Sequence, residues 1–142
     1  MTRQNVPKLP PHQYYFQTAV GLEIRTYDAD ELREAKLAAV ADWQTEMEAA
    51  PVEYEGHLFD FDQESIQRVM ALALAGMGSP IGTWTTYDNV DVPADAAFMR
   101  GLFVAMVTRT GTTHKAQRRM KIELAALTDP AEIAAYEVPT CP

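Results

Sequence analysis

The sequence predicts an α+β fold: a helix-rich single domain with short β-hairpins, behind an extended N-terminal arm. Three observations carry that expectation. Apolar residues recur every three or four positions over residues 32–50 and again over 98–127, the period of a helix with one buried face. Short runs rich in β-branched and aromatic residues lie before and between them, broken by glycines or an Asp-Asn pair, as in hairpins. The first twelve residues carry Pro7, Pro10 and Pro11 and few apolar side chains, so they read as an arm and not as core. The division falls between residues 1–27, an arm with short strands, and residues 28–142, the helix-rich domain. A chain of 142 residues lies within the ~100–150 typical of one domain. It is long enough to build a core without disulfides or metals.

Taken in order, Gln13–Val20 and Leu22–Tyr27 flank Gly21 and predict a short hairpin or two edge strands. Asp28 or Asp30 then caps a helix whose first turn holds Glu31 and Glu34, where acids meet the helix dipole favourably. Leu32, Ala35, Ala39, Trp43, Met47 and Ala50 form its stripe, and Pro51 ends it. Val52–Asp60 predicts a small hairpin turning at Glu55-Gly56. Asp62 caps a second helix reaching Ala75, broken by Gly76, Gly78 and Pro80. Ile81–Tyr87 predicts a strand and Asp88-Asn89 a turn. Pro93 suits the first turn of a long helix. Its stripe is Phe98, Met99, Leu102, Phe103, Met106 and Val107, resumed by Ala116, Met120, Leu124 and Leu127. Thr108–Thr113 holds four threonines and Gly111, poor helix formers that would favour a kink. Asp129-Pro130 opens a last turn. Trp43, Phe59, Trp84, Phe98, Leu102 and Met106 are expected to share one core.

Charge narrows the function. The net charge is −8, and since nucleic-acid affinity comes mainly from neutralising phosphates, the expectation is no nucleic-acid partner. The longest apolar run, Val69–Gly78, is about half of the ~20 residues a spanning helix needs, so no membrane insertion is expected. The N-terminus lacks the apolar region of a signal peptide, and Cys141 is the sole cysteine, so the fold does not require an oxidising compartment. Between Asp28 and Glu64 twelve acids face only Arg33 and Lys36, whereas Arg100–Lys121 carries six bases and no acid. This asymmetry fits two helices packed together or two solvated faces. It also fits head-to-tail attraction between subunits of a homo-oligomer, with Arg118 and Arg119 as partner-binding residues.

No motif supplies catalysis, and the chain is read as a non-enzyme with no catalytic, cofactor or metal residues. His12, His57 and His114 stand in unrelated contexts, without the two-histidine spacing of a helical zinc motif. Ser65 and Ser79 lack a glycine-flanked nucleophile turn. Asp60, Asp62 and Glu64 alternate as calcium ligands do, but Ser65 and Ala71 stand where an EF-hand loop needs glycine and a bidentate acid. The consecutive aromatics Tyr14, Tyr15 and Phe16 are different. A strand turns alternate residues to opposite faces, so the three cannot all face the home domain, and they are read as a partner-binding surface.

Residues 31–138 resemble a domain of unknown function that recurs in bacteriophage tail-fibre and tail-fibre assembly proteins. Three segments carry the likeness: Leu32-Arg33-Glu34-Ala35-Lys36-Leu37; Tyr54-Glu55-Gly56-His57-Leu58-Phe59-Asp60 followed by Asp62, Ser65, Ile66, Gln67 and Arg68; and Thr83–Pro93 with its tryptophan strand and Asp-Asn turn. The resemblance implies a non-enzymatic structural or adaptor protein of a phage tail, a virion component whose partners are other tail or fibre proteins. It implies residence in the host cytoplasm during assembly and in the virion tail afterwards. A tail-fibre assembly chaperone is the alternative it leaves open.

Overall fold

The computed structural model describes residues 6–142; the first five residues of the expected arm lie outside the described residues. The order is β1 (Gln13–Thr18), β2 (Gly21–Thr26), α1 (Ala29–Ala49), β3 (Val52–Tyr54), β4 (His57–Phe59), α2 (Gln63–Ala75), β5 (Thr83–Thr85), β6 (Asp91–Pro93), α3 (Ala96–Ala126) and α4 (Pro130–Ala135). The strands pair antiparallel as β1-β2, β3-β4 and β5-β6, and with the helices they make a helix-rich α+β domain. Contacts group the chain into two units. One holds the described residues through Asp42 with Arg118–Thr140; the other holds Trp43–Gln117 with Cys141 and Pro142.

In the second unit, local chemistry explains each turn. Glu55 and Gly56 both take left-handed φ (48° and 79°), the pair of a type I′ hairpin, and so join β3 to β4. Asp62 caps α2: its side chain accepts from the Ser65 N–H at 2.9 Å and the Ser65 hydroxyl at 2.8 Å. Those two donors hold its carboxyl below the usual range. Gly76, left-handed at φ 69°, closes the other end. Thr86 is buried and organises the next turn, donating to Asp88 Oδ1 at 2.5 Å and accepting from Val90 N–H at 3.0 Å. Tyr87 N–H then donates to Leu58 carbonyl at 2.7 Å, tying this turn to β4.

Around these turns Val52, Phe59, Phe61, Val69, Val92, Ala94, Met99, Leu102 and Met106 form one buried cluster, with Tyr54, Trp84 and Phe98 packed on its margin. Phe98 meets Tyr54 and Phe59 edge to face at 5.2 and 5.8 Å. Gly101 permits this packing, because a Cβ there would fall 1.8 Å from the Tyr54 hydroxyl. Phe59, Leu102 and Met106 share this core as the sequence predicts, and Trp84 and Phe98 border it. Trp43 is buried but lies outside the cluster. Periodicity shows which face of a helix is apolar, not what that face meets.

Three further expectations are corrected. Ile81–Tyr87 forms a strand only over Thr83–Thr85. Pro93 does not open a helix; it ends β6, opposite Thr83. Ala94 extends the pairing by donating to Gly82 carbonyl at 3.0 Å. The helix begins two residues later, because the Asp95 carboxylate accepts from Phe98 N–H at 2.8 Å, a side-chain cap that a proline cannot provide. Helix α3 then runs unbroken through Thr108–Thr113. The buried residues Met99, Leu102, Met106, Thr113, Met120 and Leu124 keep one stripe through that stretch. Packing on both sides outweighs a propensity cost of about 1 kcal/mol for Gly111.

In the first unit Val40, Met120, Leu124 and Ile133 are buried. Asp129 caps α4 through Ala131 N–H at 3.0 Å, as its Asp-Pro start predicts. The Tyr136 hydroxyl donates to Glu123 at 2.5 Å. Burial, and then that carboxylate, push the phenol up to about 12.

Candidate interaction surface

The hairpin β1-β2 is assembled from residues with strand propensity on both arms, Tyr14-Tyr15-Phe16 on one and Leu22, Ile24 and Thr26 on the other. It turns through Ala19-Val20, one step before the glycine. Gly21 opens β2 at φ 141°, a conformation that side chains rarely adopt. The register pairs Tyr14 with Arg25, Tyr15 with Ile24 and Phe16 with Glu23. Tyr14, Phe16, Glu23 and Arg25 therefore share one face, and Tyr15, Leu22 and Ile24 share the other.

Each face carries its own contacts. Tyr14 lies 4.6 Å from the Tyr27 ring, and the Arg25 guanidinium sits 3.5 Å over Phe16 while pairing with Glu23 at 3.3 Å. Tyr15 donates its hydroxyl to Pro7 carbonyl at 2.6 Å, and Gln13 N–H donates to Pro10 carbonyl at 3.0 Å. The proline segment is thus held against β1. Even so, no residue from Val6 to Ala39 is fully buried. Phe16 stays 41% exposed, Leu22 51%, Ile24 57% and Val20 95%. Of the expected partner-binding aromatics, Tyr14 and Tyr15 are half-buried and Phe16 is the open one.

Arg118 and Arg119 are both exposed on α3. Arg119 pairs with Glu123 at 3.6 Å. Every ion pair among the described residues joins positions no more than four apart: Arg25–Glu23, Arg33–Asp30, Arg68–Glu64 and Arg119–Glu123. No ion pair among them links the acidic Asp28–Glu64 stretch to the basic Arg100–Lys121 stretch.

Three of the cations bind carbonyls at helix ends instead. Arg33 donates to Leu124 carbonyl at 3.1 Å and to Leu127 carbonyl at 2.6 Å, and Lys36 to Tyr136 carbonyl at 2.8 Å. Arg109 donates to Pro51 and Met47 carbonyls, both at 2.8 Å. Each meets the negative end of a helix dipole, where the last carbonyls lack partners. Charge along the sequence cannot reveal these contacts, because their acceptors are backbone atoms.

Among the described residues no group of three histidine, cysteine, aspartate or glutamate side chains is placed to hold a metal ion. His12 is half-buried in the arm, while His57 and His114 are exposed on β4 and α3. The second unit has an open groove of about 680 Å³ lined by Met47, Pro51, Val52, Leu58, Arg109 and Thr112. Its one cation is already bound to two carbonyls. No described helix is long and apolar enough to cross a membrane.

Residues 31–138 match the family described as Domain of unknown function (DUF4376), and the chain belongs to that family. No curated protein and no solved structure matches it significantly.

Proposed function

We propose that this member of the family is a non-enzymatic structural or adaptor protein of a bacteriophage tail, at or beside the tail fibres, and that it docks through its N-terminal hairpin. One observation carries the reading: the hairpin leaves Phe16, Val20, Leu22 and Ile24 exposed and contributes nothing to the buried core. Two-stranded ribbons are marginal in water unless something packs against them. Clustered exposed apolar side chains mark protein-binding surfaces. The resemblance of residues 31–138 to a domain recurrent in tail-fibre proteins supplies the assembly. Within it, Tyr14, Tyr15 and Phe16 anchor the contact, Arg118 and Arg119 add a cationic rim on α3, and the partners are tail or fibre proteins.

The test replaces Tyr14 and Phe16 by serine in the full-length chain and follows co-purification with the tail and fibre proteins of the encoding phage. Phe16 is exposed, and exposed substitutions usually change stability by no more than about 0.5 kcal/mol. Phe16→Ser alone should therefore hardly move melting, while the half-buried Tyr14 adds a stability cost to the double variant, and both should lose co-purification. Undiminished recovery of the tail proteins would remove the hairpin from the interface.

A further inference from the structure

We propose that strand β2 is a self-recognition edge: two copies of this chain join β2 to β2 antiparallel about a two-fold axis through Ile24, making one four-stranded sheet. This deepens the assembly reading by naming one partner, and purified chain alone can test it.

The free backbone groups of β2 follow from the hydrogen-bonding phase of the hairpin. Tyr27 N–H donates to His12 carbonyl at 2.9 Å, which makes His12–Tyr27 a hydrogen-bonded pair. Such pairs alternate along an antiparallel ladder. In the observed register Tyr14–Arg25, Phe16–Glu23 and Thr18–Gly21 are then the hydrogen-bonded pairs. The N–H and C=O groups of Leu22, Ile24 and Thr26 consequently point away from β1. Every residue of β2 is exposed, and β1 is its sole strand partner among the described residues. The outer edge of β1 differs, since Gln13 N–H is already bonded to Pro10 carbonyl.

The sequence of β2 selects the register. Outward groups must meet outward groups, so a two-fold can pass through Leu22–Ile24, Ile24 or Ile24–Thr26, centring on residue 23, 24 or 25. Centring on 23 opposes Glu23 to Glu23, and centring on 25 opposes Arg25 to Arg25. Only the axis through Ile24 sets Glu23 opposite Arg25 of the second copy, twice by symmetry. Those are non-hydrogen-bonded positions, where opposed side chains come closest. Ile24 exchanges both hydrogen bonds with its copy, and Leu22 does so with Thr26. On the other face Tyr15, Ile24, Ile24 and Tyr15 line up across four strands, so that each exposed Ile24 packs beside its copy. Glu23 and Arg25 thus act as a register key, with like charges penalising each neighbouring alignment.

The experiment uses full-length chain with three substitution sets and sedimentation velocity. Wild type should dimerise. Arg25→Glu leaves only acids on the edge and Glu23→Arg only bases, and each alone should weaken the dimer roughly tenfold. Mixed one to one, the two should form a heterodimer, because each acid again meets a base. The double variant Glu23→Arg/Arg25→Glu should dimerise like wild type. Restoration by mixing separates lost pairing from a misfolded hairpin. Wild-type chain that stays monomeric at every accessible concentration, single variants that dimerise undiminished, or a mixture that fails to associate would each overturn the proposal.

Discussion

Replacing Phe59 by alanine should destabilise the protein by about 3–5 kcal/mol, the range for removing a fully buried aromatic side chain. Phe59 is 1% exposed and belongs to the buried cluster with Val52, Val69 and Leu102. Its ring meets Phe98 edge to face at 5.8 Å, and its strand partner is Val52. A void there would have walls on β3, β4, α2 and α3, so no single side chain could collapse to fill it. Leu58, the neighbouring residue on the opposite face of β4, is exposed, and Leu58→Ala should stay within about 0.5 kcal/mol. Urea unfolding of both variants reads the difference. A Phe59→Ala loss below about 1 kcal/mol would mean that this core does not hold the second unit together.

Arg109→Ala should cost about 2–4 kcal/mol through a different mechanism. Its two terminal nitrogens serve the carbonyls of Met47 and Pro51, at and just beyond the end of α1. Its guanidinium also lies 5.3 Å from the centre of the Phe61 ring. Charge-assisted hydrogen bonds contribute roughly 1.5–3 kcal/mol each, and their loss leaves two helix-terminal acceptors without protein donors. Lysine keeps the charge but concentrates it on a single nitrogen, so it cannot reproduce the planar fork that spans both carbonyls. Arg109→Lys should recover about half the loss. Equal stability of the lysine variant and wild type would show that the fork geometry is dispensable.

How far the sequence spoke depended on how local the physics was. The Glu55-Gly56 turn, the Asp62 cap, the Gly76 stop and the Asp129-Pro130 start each follow from a few adjacent residues, and each stands where it was expected. At Pro93 two local signals competed, and the Asp95 carboxylate with its Phe98 partner set the helix start. The Thr108–Thr113 stretch reads as weak because propensity carries no information about the stripe that packs on either side of it.

The segments that carry the family likeness are folding devices. Tyr54 packs on Gly101, Trp84 borders the core, and Asp88-Asn89 completes the Thr86 turn. They say how the domain holds together and are silent on what it does. Of the aromatic triplet the exposure of Phe16 was legible, whereas the half-burial of Tyr14 beside Tyr27 and of Tyr15 beside Pro7 was not. The open edge of β2 was not legible either, because it depends on the hydrogen-bonding phase of the hairpin, which residue identities do not encode. The carbonyl-binding roles of Arg33, Lys36 and Arg109 escaped for a related reason, their acceptors being backbone atoms distant in sequence.

The reading of this chain as a resident of a phage tail is tested most directly by the protein composition of purified particles. Particles of the phage or induced prophage that encodes the chain, freed of soluble lysate on a density gradient, would be digested and quantified by mass spectrometry against the tail-tube and fibre proteins. The chain should be present in a fixed ratio to those proteins in every preparation. Its absence from intact particles, with fibre proteins present at normal levels, would contradict residence in the tail and leave at most a role during assembly.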